Sequence, residues 1–285
     1  MTVRIRAGVV AAVGLMLVAV IGLVVGKHDW HSDLGLPRPY SRACTVHADG
    51  EVTLNPEQMA HAATIAAIGM QRQMPERAVV VALATALQES KLENLAGGDR
   101  DSIGLFQQRP SQGWGTPDQV GDPRYAANKF YAALKKVRGW EKMRVTDAAQ
   151  RVQRSAYPEA YQKWADESTV LTKALLGNAT GAVACTVDGE PPMRGAAATE
   201  ALGNGLRLDW GSMEASAQVT GLTVPAASPQ AGWRYAHWLV SHATDHGVKK
   251  VRFAGLEWTA KEGAWAQIAQ PDQAGQVVAE VYAAP

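Results

Sequence analysis

Apolar and polar positions change period along the chain, and each change marks an expected element. An uncharged run, Ala7 to Gly26, comes first, with Arg4 and Arg6 before it. From Asn55 the apolar positions recur at helical spacing: Met59, Ala62, Ala63, Ala66 and Met70. Asn55 can cap this helix, Pro56 suits its first turn, and Gln58 stands three after the cap. Pro75 and Glu76 begin a second helix, with Val79, Val80, Leu83 and Leu87 on its apolar face, ending near Gln88-Glu89-Ser90. A Gly/Asp loop over 97–102 follows. Asp122-Pro123 caps a helix carrying Ala127, Phe130, Leu134 and Val137. Thr146-Asp147 caps a short one, and Pro158 begins a last helix toward Leu176. From Asp188 the pattern alters. Leu206–Trp210, Ala217–Val224, Val248–Phe253, Leu256–Trp258 and Val277–Tyr282 read as strands around a helix from Gln230 to His246.

The expected class is therefore α+β overall. It comprises a transmembrane helix, an α-rich domain over 44–185 and a smaller α+β domain over 186–285. Residues 1–26 read as a signal anchor and 27–43 as a linker bearing Gly35, Pro37 and Pro39. Twenty apolar residues span about 30 Å, longer than the apolar core of a cleaved signal peptide. Arg4 and Arg6 would stay in the cytoplasm and the main body would lie outside it, anchored to a membrane.

Composition narrows the classes. The chain of 285 residues has 28 Lys plus Arg against 27 Asp plus Glu, a net charge of +1, which argues against a nucleic-acid binder. Two cysteines, Cys44 and Cys185, exclude a Cys-rich zinc module. Export permits a disulfide between them, tying both ends of the middle domain; two separate buried thiols are the alternative. No nucleotide-binding glycine loop is present, and no ligand set argues for a cofactor. His242 and His246 share a helix face, but His237 points away from them, so no metal site is expected.

Glu89 ends a strongly apolar turn. A carboxyl group held against apolar walls stays protonated nearer neutrality and can act as a general acid. A solvated helix-end glutamate is the alternative. The stretch Ala86-Leu87-Gln88-Glu89-Ser90, followed by Ser102-Ile103-Gly104-Leu105-Phe106-Gln107 and then Asp122-Pro123 and Asn128, resembles the soluble lytic transglycosylase and goose-type lysozyme superfamily over about residues 50–180. The resemblance implies a lysozyme-like fold that cuts the β-1,4 bond between N-acetylmuramic acid and N-acetylglucosamine in peptidoglycan glycan strands. It implies Glu89 as general acid and Ser90 as orienting the carboxyl or binding an N-acetyl group. Gly104 belongs to the motif, Phe106 would line the sugar cleft and Gln107 would bind the saccharide. Trp114, in a Gly-rich loop, is a further candidate for the cleft, and Trp140 for the core.

The family often carries Ala-Tyr-Asn further on, placing a tyrosine near the acid. The comparable stretch here, Val152 to Pro158, offers Gln153 and Tyr157. Two-carboxylate glycosidases need a second Asp or Glu, for which Asp99 and Asp101 stand on the adjacent loop. Loop aspartates beside glycines are commonly turn formers. The favoured expectation is a lytic transglycosylase using Glu89 alone, with a hydrolytic lysozyme as one alternative. A non-catalytic wall-binding component of an envelope, conjugation or secretion assembly is the other.

A second resemblance is narrower. Gly205-Leu206-Arg207-Leu208-Asp209 is similar to the end of the zinc motif in M15-type D-Ala-D-Ala peptidases. Leu202 stands where that motif has its zinc-binding histidine, so a degenerate, zinc-free version is implied.

Overall fold

Asn55 accepts from the Gln58 amide, and the Gln58 side chain returns the bond to the Asn55 amide, a reciprocal cap. Helix α1 (Pro56–Gln71) starts there. Helix α2 (Glu76–Ser90) follows, and it is buried on every side between Ala78 and Leu87. In the computed structural model, which describes residues 43–269 and 274–284, four further α-helices follow before residue 176. They are α3 (Pro117–Val120), α4 (Pro123–Leu134), α5 (Val145–Gln153) and α6 (Ala165–Leu175). Three short strands flank the bundle: β1 (Cys44–His47), β2 (Glu51–Leu54) and β3 (Val183–Cys185), in the order β2-β1-β3, all antiparallel. In the β1–β3 register Cys44 lies opposite Cys185, and the two form a disulfide. It closes 141 residues, worth about 4–5 kcal/mol on the chain-entropy account.

The chain continues through α7 (Gly195–Trp210), β4 (Ser216–Gln218), β5 (Gly221–Pro225), α8 (Pro229–Ser241) and α9 (Ala243–His246). It ends with β6 (Val248–Phe253), β7 (Leu256–Thr259), β8 (Trp265–Gln267) and β9 (Gln276–Val281). The six strands pair antiparallel in the order β4-β5-β9-β6-β7-β8. Helix α8 packs between this sheet and α1, and the described residues form one compact unit.

The expected fold class needs correction. The described chain is a mixture of helix and sheet, and among the described residues no helix is long and apolar enough to cross a membrane. Its longest helices, α1 and α7, have 16 residues each, below the roughly 20 that a bilayer core requires. The run Ala7–Gly26, expected to be the transmembrane helix, lies outside the described residues.

Three local readings also change. Leu206–Trp210 is the end of α7, not a strand. Alternation would have buried Leu208 with Leu206, yet Leu208 is 49% exposed while Ala198, Leu202, Leu206 and Asp209 are buried at helical spacing. Ala217–Val224 is broken by a turn into the β4–β5 hairpin. Pro158 begins no long helix; a short 3-10 turn, Gln162–Trp164, leads into α6.

A buried carboxylate joins α7 to the helical bundle. Asp209, fully buried, accepts from the Thr64 hydroxyl at 2.9 Å and the Trp238 indole at 2.8 Å on Oδ2. Arg124 Nε donates to Oδ1. The pair is supported by two further hydrogen bonds, as a buried charge requires. His242 stacks on Trp238 and lies 2.9 Å from its carbonyl through Nδ1, while its Nε2 is 3.3 Å from Thr64. His237 bridges the Ala174 carbonyl and the Ala182 amide. It therefore fastens α8 to both α6 and the chain just before β3. Burial pushes the pKa values of both histidines down to about 4.

The folded form keeps these imidazoles neutral, whereas the unfolded chain takes up protons below the ordinary histidine pKa of about 6.5. Stability is thus fully present above pH 6.5 and is lost as pH falls toward 4. The urea midpoint is expected to drop clearly between pH 7 and pH 5; a flat profile would contradict this. Intact mass after alkylation under denaturing, non-reducing conditions is expected to show no modified cysteine, and reduction is expected to lower the melting temperature.

Candidate active site

Glu89 sits in the last turn of α2, where the chain leaves the helix abruptly. Lys91 has φ 59° and Leu92 φ 63°, two left-handed residues in succession. The Lys91 amide bonds the Leu87 carbonyl and the Leu92 amide the Ala86 carbonyl, so the turn closes the helix end. Leu92 is fully buried, which anchors the reversal. The buried body of α2 thus holds Glu89, half-buried, at the edge of the core.

The following loop is tied to the helix end. Ile103 and Gln108 exchange both backbone bonds, and the Gly104 amide donates to the Leu95 carbonyl at 2.8 Å. Gly104 has φ +77°, and a Cβ there would meet the Val120 carbonyl at 2.5 Å. This explains the glycine without reference to substrate. The Ser90 hydroxyl is buried and reaches the Leu105 carbonyl at 2.8 Å, locking the loop to α2. Ser90, expected to orient the carboxyl or bind an N-acetyl group, thus bonds the Ala86 and Leu105 carbonyls and clasps the loop to the helix.

Phe106 is likewise corrected. Its ring is fully buried, stacked on Phe130 with centroids 4.8 Å apart, and lines no open cleft. Its backbone carbonyl is the part that reaches the site. Gln153, the last residue of α5, donates through Nε2 to that carbonyl at 2.7 Å and to Glu89 Oε1 at 3.2 Å. Gln107 has φ 45°, donates to the Gly104 carbonyl and fills the space beside Gly98. Trp114 is half-buried against the core between Gly113 and Gly115. Trp140 is buried in the core.

Tyr157, the expected candidate, is 75% exposed. The tyrosine that bonds Glu89 is Tyr161, fully buried, whose hydroxyl donates to Glu89 Oε1 at 2.6 Å. Burial, reinforced by the adjacent Glu89 charge, drives the Tyr161 hydroxyl pKa above its ordinary value. It therefore remains a donor. The segment before it is staked by a bidentate pair between Arg144 and Glu159 and by the Thr146 hydroxyl on the Pro158 carbonyl. The triplet Ala160-Tyr161-Gln162 differs from Ala-Tyr-Asn by one residue, and was the available signal.

Neither loop aspartate is hydrogen-bonded to Glu89. Asp101 accepts from Arg109 Nε at 2.8 Å, the Ser111 amide at 2.7 Å and the Ser111 hydroxyl at 3.0 Å. These bonds hold its carboxyl below the usual carboxylate range. Asp99 is a solvated turn residue beside Arg100. Among the described residues, no group of three or more His, Cys, Asp and Glu is arranged to hold a metal ion.

Gly104→Ala is expected to cost more than about 1 kcal/mol, since both its conformation and its space are wrong for a side chain. Ser90→Ala is expected to cost about 1–3 kcal/mol by leaving the buried Leu105 carbonyl without its side-chain donor. Urea unfolding of each variant checks both; unchanged midpoints would count against the clasp. No protein-family model and no curated protein sequence matches the chain.

Proposed function

We propose that this protein is a peptidoglycan lytic transglycosylase, acting outside the cytoplasm, with Glu89 as its acid and base. The observation that carries the reading is the convergence of Tyr161 and Gln153 on one oxygen of Glu89. Oε1 accepts both bonds, and among the described residues Oε2 has no partner. A protonated Glu89 must then carry its proton on Oε2, where it can be passed to a glycosidic oxygen. The donors on Oε1 disperse the charge that remains on the carboxylate.

Charge at the anomeric carbon needs stabilisation from the far side. In a retaining hydrolase a second carboxylate supplies it. Asp101 is committed to Arg109 and Ser111, which favours the substrate's own 2-acetamido oxygen in that role. Glu89, now a base, takes the proton from the C6 hydroxyl, whose oxygen closes onto the anomeric carbon. The product is a 1,6-anhydromuramoyl end, with no water consumed. The disulfide supports an oxidising, extracytoplasmic setting.

Digestion of isolated sacculi by the full chain tests the reading. Anhydromuropeptides are expected from the wild type and none from Glu89→Gln. Tyr161→Phe is expected to lower turnover about 10²-fold through loss of one donor. Anhydro products from Glu89→Gln would end the proposal, and reducing muramic ends in their place would indicate a hydrolase.

A further inference from the structure

Beside Glu89 lies a cluster the mechanism does not use. Trp164, three residues after Tyr161, donates from its indole nitrogen to Gln88 Oε1 at 2.9 Å. Its partly buried ring is faced by two lysines, Lys91 with Nζ 3.8 Å from the centroid and Lys163 at 5.2 Å. Lys91 is held in place by its left-handed backbone and by Gln58, whose side-chain amide donates to the Lys91 carbonyl at 2.8 Å.

Two ammonium groups on one ring repel each other. Burial first, then the charge of Lys163, lowers the Lys91 pKa, with Glu167 acting in the opposite direction. Among the described residues neither lysine reaches an acid within ion-pair distance. Arg144 and Arg109, by contrast, are closed off by carboxylates. The pair is thus a concentration of positive charge adjoining the proposed acid, with an aromatic platform beneath it.

We propose that Lys91, Lys163 and Trp164 form a subsite for the carboxylates of the peptide stems carried by the glycan strand. This rests on the reading of Glu89 as the acid acting on peptidoglycan. The subsite would bind a stem while the adjoining sugar lies at Glu89, so it sets a preference for stem-bearing over stripped glycan. A stem carboxylate that pairs with these ammonium groups offsets the positive charge gathered on one ring.

The test compares the full chain, the double variant Lys91→Ala/Lys163→Ala and the double variant Lys91→Arg/Lys163→Arg. The substrates are stem-bearing strands and the same strands freed of peptide. The alanine variant is expected to lower the ratio of kcat/KM on stem-bearing to stripped strands about tenfold, mainly through KM, and the arginine variant to retain it. Equal losses on both substrates would overturn the proposal. Calorimetric titration of free stem tetrapeptide into the Glu89→Gln chain supplies an independent reading. Binding lost with the alanine pair supports the subsite even if no strand is cleaved, in which case the transglycosylase reading alone fails. Binding indifferent to the lysines, or none, overturns the subsite.

Discussion

A helix that is apolar on every side has one place in a folded protein, the centre. Helix α2 meets that condition from Ala78 to Leu87, and α1, α4, α5 and α6 close around it. Burial fixes the helix along its whole length, and so fixes the position of its last turn. Glu89 is carried to the edge of the core by that constraint, with solvent on one side and packed side chains on the other. The two left-handed residues after it, Lys91 and Leu92, send the chain back over the helix end. Backbone strain of this kind survives only where surrounding packing holds it, here through the buried Leu92 side chain.

The groups around Glu89 come from three separate segments, two of them secured by bonds that never touch the acid. The loop over 102–108 is clasped by Ser90 and by the Ile103–Gln108 bridge. Gln153 ends α5 and binds both that loop and Glu89. Tyr161 follows a stretch pinned by Arg144 and Thr146. Ser90 and Phe106 of the motif are thus buried, one bonded to the loop backbone and the other stacked in the core. The proposed chemistry depends on this division, because one oxygen of Glu89 is occupied by donors and the other left for proton transfer.

The carboxyl-terminal part of the chain is coupled to the same bundle through polar groups buried with partners. Asp209 ties α7 to α1 and α4, and His237 ties α8 to α6. The two imidazoles, kept neutral by burial, make this junction sensitive to acid. The Cys44–Cys185 bridge and the three-stranded sheet hold the two ends of the helical part together at the same side of α6.

Local chemistry alone determined much of this. The reciprocal cap at Asn55, the Asp122-Pro123 start, the Glu89-Ser90 helix end and the glycine at 104 depend on near neighbours, and their periods and capping residues read directly. The pairing of Cys44 with Cys185 was open by sequence and was decided by strand register. Residues such as Ser90 and Phe106 were legible as a motif, but their direction was not, because only packing decides whether a side chain faces a cleft or a core. Tyr161 and Tyr157 are four apart in an irregular segment with no period to separate them. Burial of one and exposure of the other followed from where Arg144 and Thr146 hold the chain. Leu206–Asp209 alternates like a strand, yet α7 formed because its buried face matches α1. Long-range contact settled each of these, and no local pattern encodes it.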